Sequence, residues 1–244
     1  MKINNKKLFF PVIVFVAIAG ISAFSLVKNN DENRFVNYIV NPKKQDLKFY
    51  LKNENQGNFG SLLNLKNWVE SKNKKLIFAM NGGMYQKDGS PQGLYIENHK
   101  TIAKLDTKNA GGNFYLKPNG VFFISDQNNP EICTTKDFKP SKNIKFATQS
   151  GPMLIIDGKI HPDFKEGSSN LNIRNGVGIL PDNSIVFAMS KEPINFYDFA
   201  NYFKSLGCKN ALYLDGLVSR TYLPEKKWTQ TDGNFGVIIG VTSQ

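Results

Sequence analysis

The chain has 244 residues, of which 41% are hydrophobic and 21% charged, a composition that excludes a wholly disordered, collagen-like or multi-span membrane protein. The formal net charge is +11. Because the lysines are scattered singly among asparagines, with no basic helix face and no zinc-finger spacing, we expect a solvated basic surface and no nucleic-acid partner.

The first 28 residues differ in character from the rest. After Lys2, Lys6 and Lys7, residues 8–27 carry no charge, and as a helix at about 1.5 Å per residue they would span the roughly 30 Å of a bilayer. This length favours an uncleaved anchor, whereas the small residues of Ala23-Phe24-Ser25 leave a cleaved signal peptide open. We predict that residues 1–28 are a signal peptide or signal anchor.

Residues 29–244 then form one exported domain. It would be membrane-anchored and face the periplasm or the extracellular space, or be secreted if the first segment is cleaved. In such a compartment a disulfide between Cys133 and Cys208 is permitted, and two buried free thiols are the alternative. The oligomeric state is left open by the sequence.

Short apolar runs bounded by Gly, Pro, Asn or Asp dominate this domain, which predicts more strands than helices. Residues 181–183 and 157–158 read as hairpin turns between such runs. The predicted strands are Phe35–Val40, Leu47–Lys52, Lys75–Met80, Gly93–Glu97, Gly112–Lys117, Val121–Ser125, Met153–Asp157, Gly176–Leu180, Ser184–Met189, Ala211–Leu214 and Phe235–Val241.

Two segments have helical periodicity and capping residues. Ser61 is predicted to cap a helix over Leu62–Ser71, and Asn195 a second helix that ends before Gly207. The fold class is therefore predicted as α+β: a single domain with a mixed, hairpin-rich β-sheet and two or three flanking helices.

Four segments place polar side chains beside glycine at the end of an apolar strand, where a ligand can approach the backbone closely. They are Asn81-Gly82-Gly83-Met84-Tyr85, Ala147-Thr148-Gln149-Ser150-Gly151-Pro152-Met153, Arg174-Asn175-Gly176-Val177-Gly178 and Ala211-Leu212-Tyr213-Leu214-Asp215-Gly216. Any one of them alone is read as a turn, and the four together point to a shared site.

These segments carry a family resemblance. The motifs NGGMY, PQGLYI, KPNGVFF, ATQSGPMLIIDGKI, IRNGVGI, NFYDFA and NALYLDG, in this order over about residues 76–240, resemble the phosphodiester glycosidase family. That family includes bacterial domains labelled as exopolysaccharide or envelope-glycan proteins and the animal lysosomal uncovering enzyme. The resemblance implies hydrolysis of the bond between a sugar anomeric carbon and a phosphate oxygen.

The residues fit that chemistry. An oxocarbenium-like centre is stabilised by a carboxylate, for which Asp215 is the candidate, although an Asp that merely forms a turn is the alternative. Because phosphate leaves as a stable anion, neutralising its charge matters more than protonating it. Arg174 presents a guanidinium fork for this task, and an ion pair to a structural carboxylate is its alternative. Arg174 and Asp215 are expected to face one small cavity.

Asn81 completes the predicted catalytic set, as a hydrogen-bond donor that holds the phosphate. The predicted substrate-binding residues are Gly82, Gly83, Tyr85, Gln149, Ser150, Gly151, Asn175, Ser219 and Arg220. One departure from the family concerns the residues after Asp215: members such as the uncovering enzyme have a run of glycines there, whereas this chain has Leu217 and Val218. Bulkier residues at these positions put the identity of the substrate in doubt.

Metal or nucleophilic histidine chemistry is poorly supported, because the chain has only His99 and His161, and both are flanked by turn residues that predict surface loops. We predict no metal and no cofactor. The predicted function is an exported hydrolase of a glycosyl phosphodiester in envelope or exopolysaccharide metabolism. A non-catalytic glycan-binding or assembly protein of the same fold is the alternative, and a glycosyl transferase is a weaker one.

Overall fold

A computed structural model describes residues 33–216 and 218–243, in which strands β1–β16, numbered in chain order, form three sheets. The described elements from Val36 onward form one compact unit. The predicted membrane segment, residues 1–28, lies outside the described residues. Within the described ranges, no helix has both the length and the apolar character needed to cross a membrane.

The strands of each sheet lie in an order that differs from their order along the chain. From edge to edge, the first sheet contains β1 (Phe35–Val40), β12 (Ile185–Ser190), β11 (Asn175–Ile179), β13 (Ala211–Asp215), β9 (Met153–Ile156) and β10 (Lys159–Ile160). The second contains β15 (Trp228–Thr229), β14 (Thr221–Leu223), β3 (Leu76–Asn81), β16 (Ile238–Thr242) and β2 (Asp46–Tyr50). The third contains β5 (Lys100–Ala103), β4 (Tyr95–Glu97), β8 (Ile144–Ser150), β6 (Gly120–Ser125) and β7 (Pro130–Thr134).

Every strand pair whose register is described is antiparallel. The prediction of a mixed sheet is therefore wrong, and three antiparallel sheets take its place. The single domain with hairpins and two flanking helices is confirmed. Both predicted hairpin turns are present, because β9 pairs with β10 across residues 157–158 and β11 pairs with β12 across residues 181–183.

All three sheets contribute side chains to one buried apolar cluster. Phe187 of the first sheet lies 5.3 Å, centroid to centroid, from the ring of Phe78 in the second sheet and 6.0 Å from that of Phe122 in the third. Aromatic rings at these separations add to the free energy of burial. This shared core fixes the ends of strands from different sheets relative to one another.

Helix α1 (Leu62–Ser71) packs its buried residues Leu62, Leu65 and Val69 on the second sheet, and the Ser61 hydroxyl accepts the Asn64 N–H at 3.1 Å as a cap. Helix α2 (Phe196–Ser205) packs on β9 and β10 of the first sheet. The predicted helices are confirmed by these elements.

The caps of α2 are also as predicted. The Asn195 side-chain oxygen accepts the Asp198 N–H at 2.8 Å, and Gly207 has a φ of +82° past the end of the helix. In this left-handed region glycine costs less than any other residue, which explains why the helix ends at this point.

The strand predicted over Gly112–Lys117 is wrong: a 3-10 helix over Asn113–Tyr115 stands there. Gly112 has a φ of +95°, outside the range of extended L-residues, and Pro118 has no N–H for a sheet ladder. In the opposite direction, the sequence pattern does not predict β8, because Thr148, Gln149 and Ser150 interrupt the apolar pattern of a strand that is buried along most of its length.

Cys133 and Cys208 are free thiols in the structure, so of the two alternatives the unbridged one is observed. Cys208 is buried and Cys133 is half-buried. Burial raises the pKa of each thiol to about 12, which makes thiolate chemistry at either one unfavourable at neutral pH.

The two histidines differ in their environments. His99 lies in an exposed turn, as predicted, whereas the surface position predicted for His161 is wrong because only 1% of it is exposed. The His161 ring stacks on Phe164 at 4.6 Å, and its Nδ1 accepts the Asp163 N–H at 3.2 Å. Burial lowers the pKa of His161, outweighing the opposite effect of the Asp163 charge.

This burial predicts a pH-dependent stability. Because the folded state favours neutral His161, its contribution is complete above the ordinary histidine pKa of about 6.5 and is lost as the pH falls through that value toward the lower folded pKa. In His161→Asn, which keeps an acceptor but cannot be protonated, we expect a smaller loss of unfolding free energy between pH 7.5 and 5. Urea unfolding measures it. The wild-type protein is the reference; equal pH slopes for the two proteins would contradict the prediction.

Candidate active site

Three strand ends from two sheets meet at Asp215. Strand β3 of the second sheet ends at Asn81, while β11 begins at Asn175 and β13 ends at Asp215 in the first sheet, where antiparallel pairing sets Asn175 opposite Asp215. All three side chains are buried, and Asp215 is the most exposed of them, at 7%. We call Asn81, Asn175 and Asp215, with the N–H groups of Gly216 and Arg220, the Asp215 cluster.

Gly216 and Asn81 both donate to the Asp215 carboxylate. Its Oδ1 accepts the Gly216 N–H at 2.6 Å, and its Oδ2 accepts the Asn81 side-chain N–H at 2.9 Å. The backbone N–H of Asp215 donates in turn to Asn175 Oδ1 at 2.8 Å. Hydrogen bonds to a charged acceptor are among the stronger ones in proteins, so this carboxylate is held in one orientation.

The Asn81 amide is oriented by its own partners. Its Oδ1 accepts the Asn175 side-chain N–H and the Arg220 backbone N–H, both at 2.9 Å. Since only an oxygen can accept these two donors, the amide nitrogen must face Asp215. Asn81 is thus the partner of the carboxylate in this structure, and its predicted contact with phosphate stays a prediction.

A bulge precedes Asp215 in β13. Asn175 pairs with Asp215 and Gly176 with Tyr213, so Leu214 has no partner residue on β11. The Leu214 carbonyl accepts the Ser150 hydroxyl at 2.9 Å, which satisfies a buried backbone group at the bulge. Ser150, predicted to bind substrate, supports the strand that carries Asp215.

Arg174 lies in the interior, with none of its surface exposed. Its Nε donates to the Ile194 carbonyl at 2.7 Å, its Nη2 to the Asn170 carbonyl at 2.8 Å, and its Nη1 to the Tyr213 hydroxyl at 3.2 Å. The guanidinium carbon lies 3.6 Å from the centre of the Phe196 ring. Burial lowers the pKa of Arg174, and these three acceptors are all uncharged oxygens.

The alternative interpretation of Arg174 as half of a structural ion pair is therefore not what these bonds show. Arg174 meets the Asp215 cluster through Tyr213, whose hydroxyl lies where a side chain at position 216 would have to stand. Its direct contact with a substrate phosphate stays a prediction.

The structure brings three more predicted residues to the cluster. The Ser219 hydroxyl donates to the Asp215 carbonyl at 3.0 Å. The pKa of Tyr85 is raised by burial and by the Asp215 charge, so this half-buried phenol lies within electrostatic reach of the carboxylate. Arg220, with 34% of its side chain exposed, pairs with Asp232 at 2.8 Å.

Other predicted residues have structural partners instead. The Gly82 N–H donates to the Val237 carbonyl at 2.8 Å, and Gly83 is approached closely by the Thr148 hydroxyl. Gly151 packs against Asn119. Their roles toward substrate stay predictions.

Gln149 is separate from the cluster and is bonded on both ends of its amide. Its oxygen accepts the N–H groups of Leu94 and Asp106 at 3.0 and 2.9 Å. Its nitrogen donates to the Asp106 carbonyl at 2.7 Å and to the Thr135 hydroxyl at 3.2 Å. With 1% of its surface exposed, it holds the segment around Asp106 against β8.

Two residues at the site were missed by sequence reasoning. Tyr213 looked like one more apolar residue of a central strand, and Asn113, whose side-chain amide is close enough to lower the pKa of Tyr213, fell in the wrongly predicted strand. The only sequence signal for Tyr213 is its position two residues before Asp215. Leu217 lies outside the described residues, whereas Val218 packs against the apolar cluster under α1.

Within the described ranges, no three His, Cys, Asp or Glu side chains are grouped closely enough to hold a metal ion. The Asp215 cluster combines a fixed carboxylate with amide groups, and the Tyr213 phenol beside Gly216 links it to the Arg174 guanidinium. This set of groups suits a substrate that joins a developing positive centre to an anion.

Comparisons with known proteins identify the family of this chain. The family model described as phosphodiester glycosidase matches residues 74–240, which include Asn81, Arg174 and Asp215. The uncharacterized protein YigE of Escherichia coli K12 is 36% identical over 220 residues, which cover 90% of this chain and 86% of that protein. The chain belongs to the phosphodiester glycosidase family, and the resemblance in its motifs is confirmed.

Solved structures share the fold at low sequence identity. The zebrafish N-acetylglucosamine-1-phosphodiester alpha-N-acetylglucosaminidase catalytic domain, described as auto-inhibited by its pro-peptide, has a TM-score of 0.59 at 15% identity, over 86% of this chain and 83% of that one. A putative exported protein of Burkholderia pseudomallei has a TM-score of 0.55 at 11% identity, over 85% and 73%.

The position of Tyr213 predicts that Gly216 tolerates no side chain. In Gly216→Ala the new methyl group would overlap the Tyr213 hydroxyl, and overpacking of this kind costs about 1–3 kcal/mol. Urea unfolding of Gly216→Ala should show this loss, and the loss should shrink in a Tyr213→Phe background, where the hydroxyl is gone. Gly111→Ala is the matched control, since a methyl there meets no described atom within 4 Å. Equal stability of both alanine variants would disprove the assigned contact.

Proposed function

We propose that the protein hydrolyses glycosyl phosphodiesters. The bond between the anomeric carbon and the phosphate oxygen breaks, its electron pair leaves with the phosphate, and water supplies a hydroxyl to the carbon and a proton to the phosphomonoester or solvent. Membership of the phosphodiester glycosidase family supports this proposal. The observation that carries it is the Asp215 carboxylate, fixed by Gly216 and Asn81 where two sheets meet.

The role proposed for Asp215 is to stabilise or attack the anomeric carbon as positive charge develops there. A carboxylate already held by two donors needs little reorganisation in the transition state, which is the condition for strong electrostatic catalysis. A phosphate leaving group needs no general acid, so one carboxylate in the cluster is enough for bond cleavage.

The negative charge of the phosphate would be neutralised by two arginine side chains near the cluster. Arg220 is partly exposed, and its backbone N–H is already bonded to Asn81, so its guanidinium can approach an anion bound beside Asp215. Its partner Asp232 is 62% exposed, and an exposed ion pair of this kind is weak enough to rearrange. Arg174 is proposed to add positive charge from within.

The proposed substrate class is a sugar 1-phosphodiester of the cell envelope or of an exopolysaccharide, with N-acetylglucosamine as the first sugar to try because the zebrafish relative is named for it. We further propose that residues 1–28 target or anchor the chain, so that residues 29–244 act outside the cytoplasmic membrane. The basic surface would attract anionic envelope material.

The test is product formation from sugar 1-phosphate methyl diesters, in both anomeric forms, by the full-length protein kept in detergent. We expect equal amounts of free sugar and methyl phosphate. Asp215→Asn should lower the rate by about 100-fold or more, because the amide cannot stabilise positive charge at the anomeric carbon. Asp157→Asn, at an exposed turn, is the matched control and should keep the wild-type rate.

The other outcomes separate the alternatives. Binding of the diesters without any product would contradict hydrolysis and favour a glycan-binding or assembly protein. A product that forms only with an added saccharide acceptor would identify a transferase. Full activity of Asp215→Asn would refute the assigned site.

A further inference from the structure

The Tyr213 hydroxyl lies between an internal cation and an exposed amide. Arg174 Nη1 donates to it at 3.2 Å, and the Asn113 side-chain amide is close enough to lower the pKa of the phenol. Asn113 itself is exposed, so the hydroxyl lies beside a residue that solvent reaches. The same hydroxyl sits against Gly216, the residue that follows Asp215.

The Arg174 guanidinium has protein partners at all three of its nitrogens. Its Nε and Nη2 donate to the carbonyls of Ile194 and Asn170, and its face lies on the Phe196 ring at 3.6 Å. Burying a cation among neutral oxygens costs free energy, and a nearby anion would offset that cost. The path from Arg174 toward the Asp215 cluster runs through Tyr213.

The direction of the hydrogen bonds follows from the groups involved. A guanidinium can only donate, so the Tyr213 oxygen is the acceptor of the Arg174 bond. The Asn113 amide also acts as a donor to this oxygen, because its contact lowers the pKa of Tyr213. The hydroxyl hydrogen is therefore left for another acceptor, such as an incoming phosphate oxygen.

We propose that Tyr213 is a catalytic residue that donates a hydrogen bond to the substrate phosphate, and that Arg174 is a positioning residue that acts through it. This inference rests on the proposed function and names the group that receives the leaving phosphate. Asp215 then faces the anomeric carbon, and the Tyr213 hydroxyl faces the oxygen that departs from it.

The step moves no proton to or from the protein. As the bond between carbon and oxygen breaks, the electron pair stays on the phosphate, whose growing charge strengthens the hydrogen bond from Tyr213. A hydroxyl that accepts from a cation becomes a better donor, since hydrogen bonds in a chain polarise one another. Burial also raises the pKa of Tyr213, so the phenol keeps its proton at neutral pH.

Binding tests the contact without relying on turnover. Titration calorimetry with N-acetylglucosamine 1-phosphate should show that Tyr213→Phe of the full-length protein binds about 30-fold more weakly than the wild type, as expected when a hydrogen bond to a charged group is lost. Tyr50→Phe is the matched control, because Tyr50 is a buried tyrosine of β2 that packs against Phe59 and Trp68.

Turnover tests the position of the contact. Tyr213→Phe should lower the rate on a sugar 1-phosphate methyl diester by about 100-fold but leave the rate on the corresponding glycosyl fluoride within a few-fold, because fluoride has no phosphate oxygen to receive the hydrogen bond. Asp215→Asn should lose both activities. A purely structural role for Tyr213 would reduce both substrates equally and would overturn the inference.

Arg174 is tested in two backgrounds. Arg174→Lys and Arg174→Met should weaken the diester reaction when Tyr213 is present and have little further effect in Tyr213→Phe, because the cation then has no hydroxyl to act through. Additive losses would mean that Arg174 reaches the phosphate itself. Thermal unfolding checks that each variant is folded, and Tyr213→Phe, which removes one oxygen, keeps the test valid if the Arg174 variants unfold.

The two failures are distinguishable. If the wild type cleaves the diester and Tyr213→Phe cleaves it at the same rate, this inference is wrong and the proposed function stands. Wild-type protein that neither binds nor cleaves any sugar phosphate would remove both.

Discussion

The hydrogen bond from Asn81 to Asp215 is the contact on which the site depends. It joins the end of a strand in the second sheet to the end of a strand in the first, and it orients the one carboxylate of the cluster. Two further bonds to the Asn81 oxygen leave its amide a single orientation, so the carboxylate is aimed by backbone and side chains that are themselves buried and fixed. Such rigidity is what electrostatic catalysis needs, because donors that are already in place do not have to reorganise.

Around this contact, the negatively and positively charged side chains differ in how deeply they are buried. Asp215 is 7% exposed, Arg174 is fully buried, and the Tyr213 phenol lies between the Arg174 guanidinium and Gly216, the residue that follows Asp215. In a low-dielectric interior the field of a buried cation reaches further than it would in water. The three-sheet core keeps these layers in place, since Phe187 contacts rings of both other sheets and leaves the strand ends little freedom to drift.

Local features were predictable from the sequence, but which strands pair in each sheet was not. The Ser61 and Asn195 caps, the apolar stripes of both helices and the two hairpin turns follow from residues within a few positions of each other. The division into three sheets depends on which distant runs pair, and an alternating pattern specifies only which face is buried. At the site, glycine and polar residues at strand ends located Asp215, Asn81 and Asn175. They could not show whether a polar group such as Gln149 faces a ligand or the protein itself, because its four hydrogen bonds come from segments far apart in the chain.

The members of the Asp215 cluster also come from distant parts of the chain. Asn81 is 134 positions from Asp215 and 94 from Asn175, and β3 is flanked in its sheet by β14 and β16, the latter from the last described residues. A chain still emerging from the ribosome therefore has no assembled carboxylate site until almost all of it has been synthesised. Unfinished or C-terminally truncated copies that lack β13 or β16 would be without Asp215 itself or without a strand that flanks β3 and Asn81.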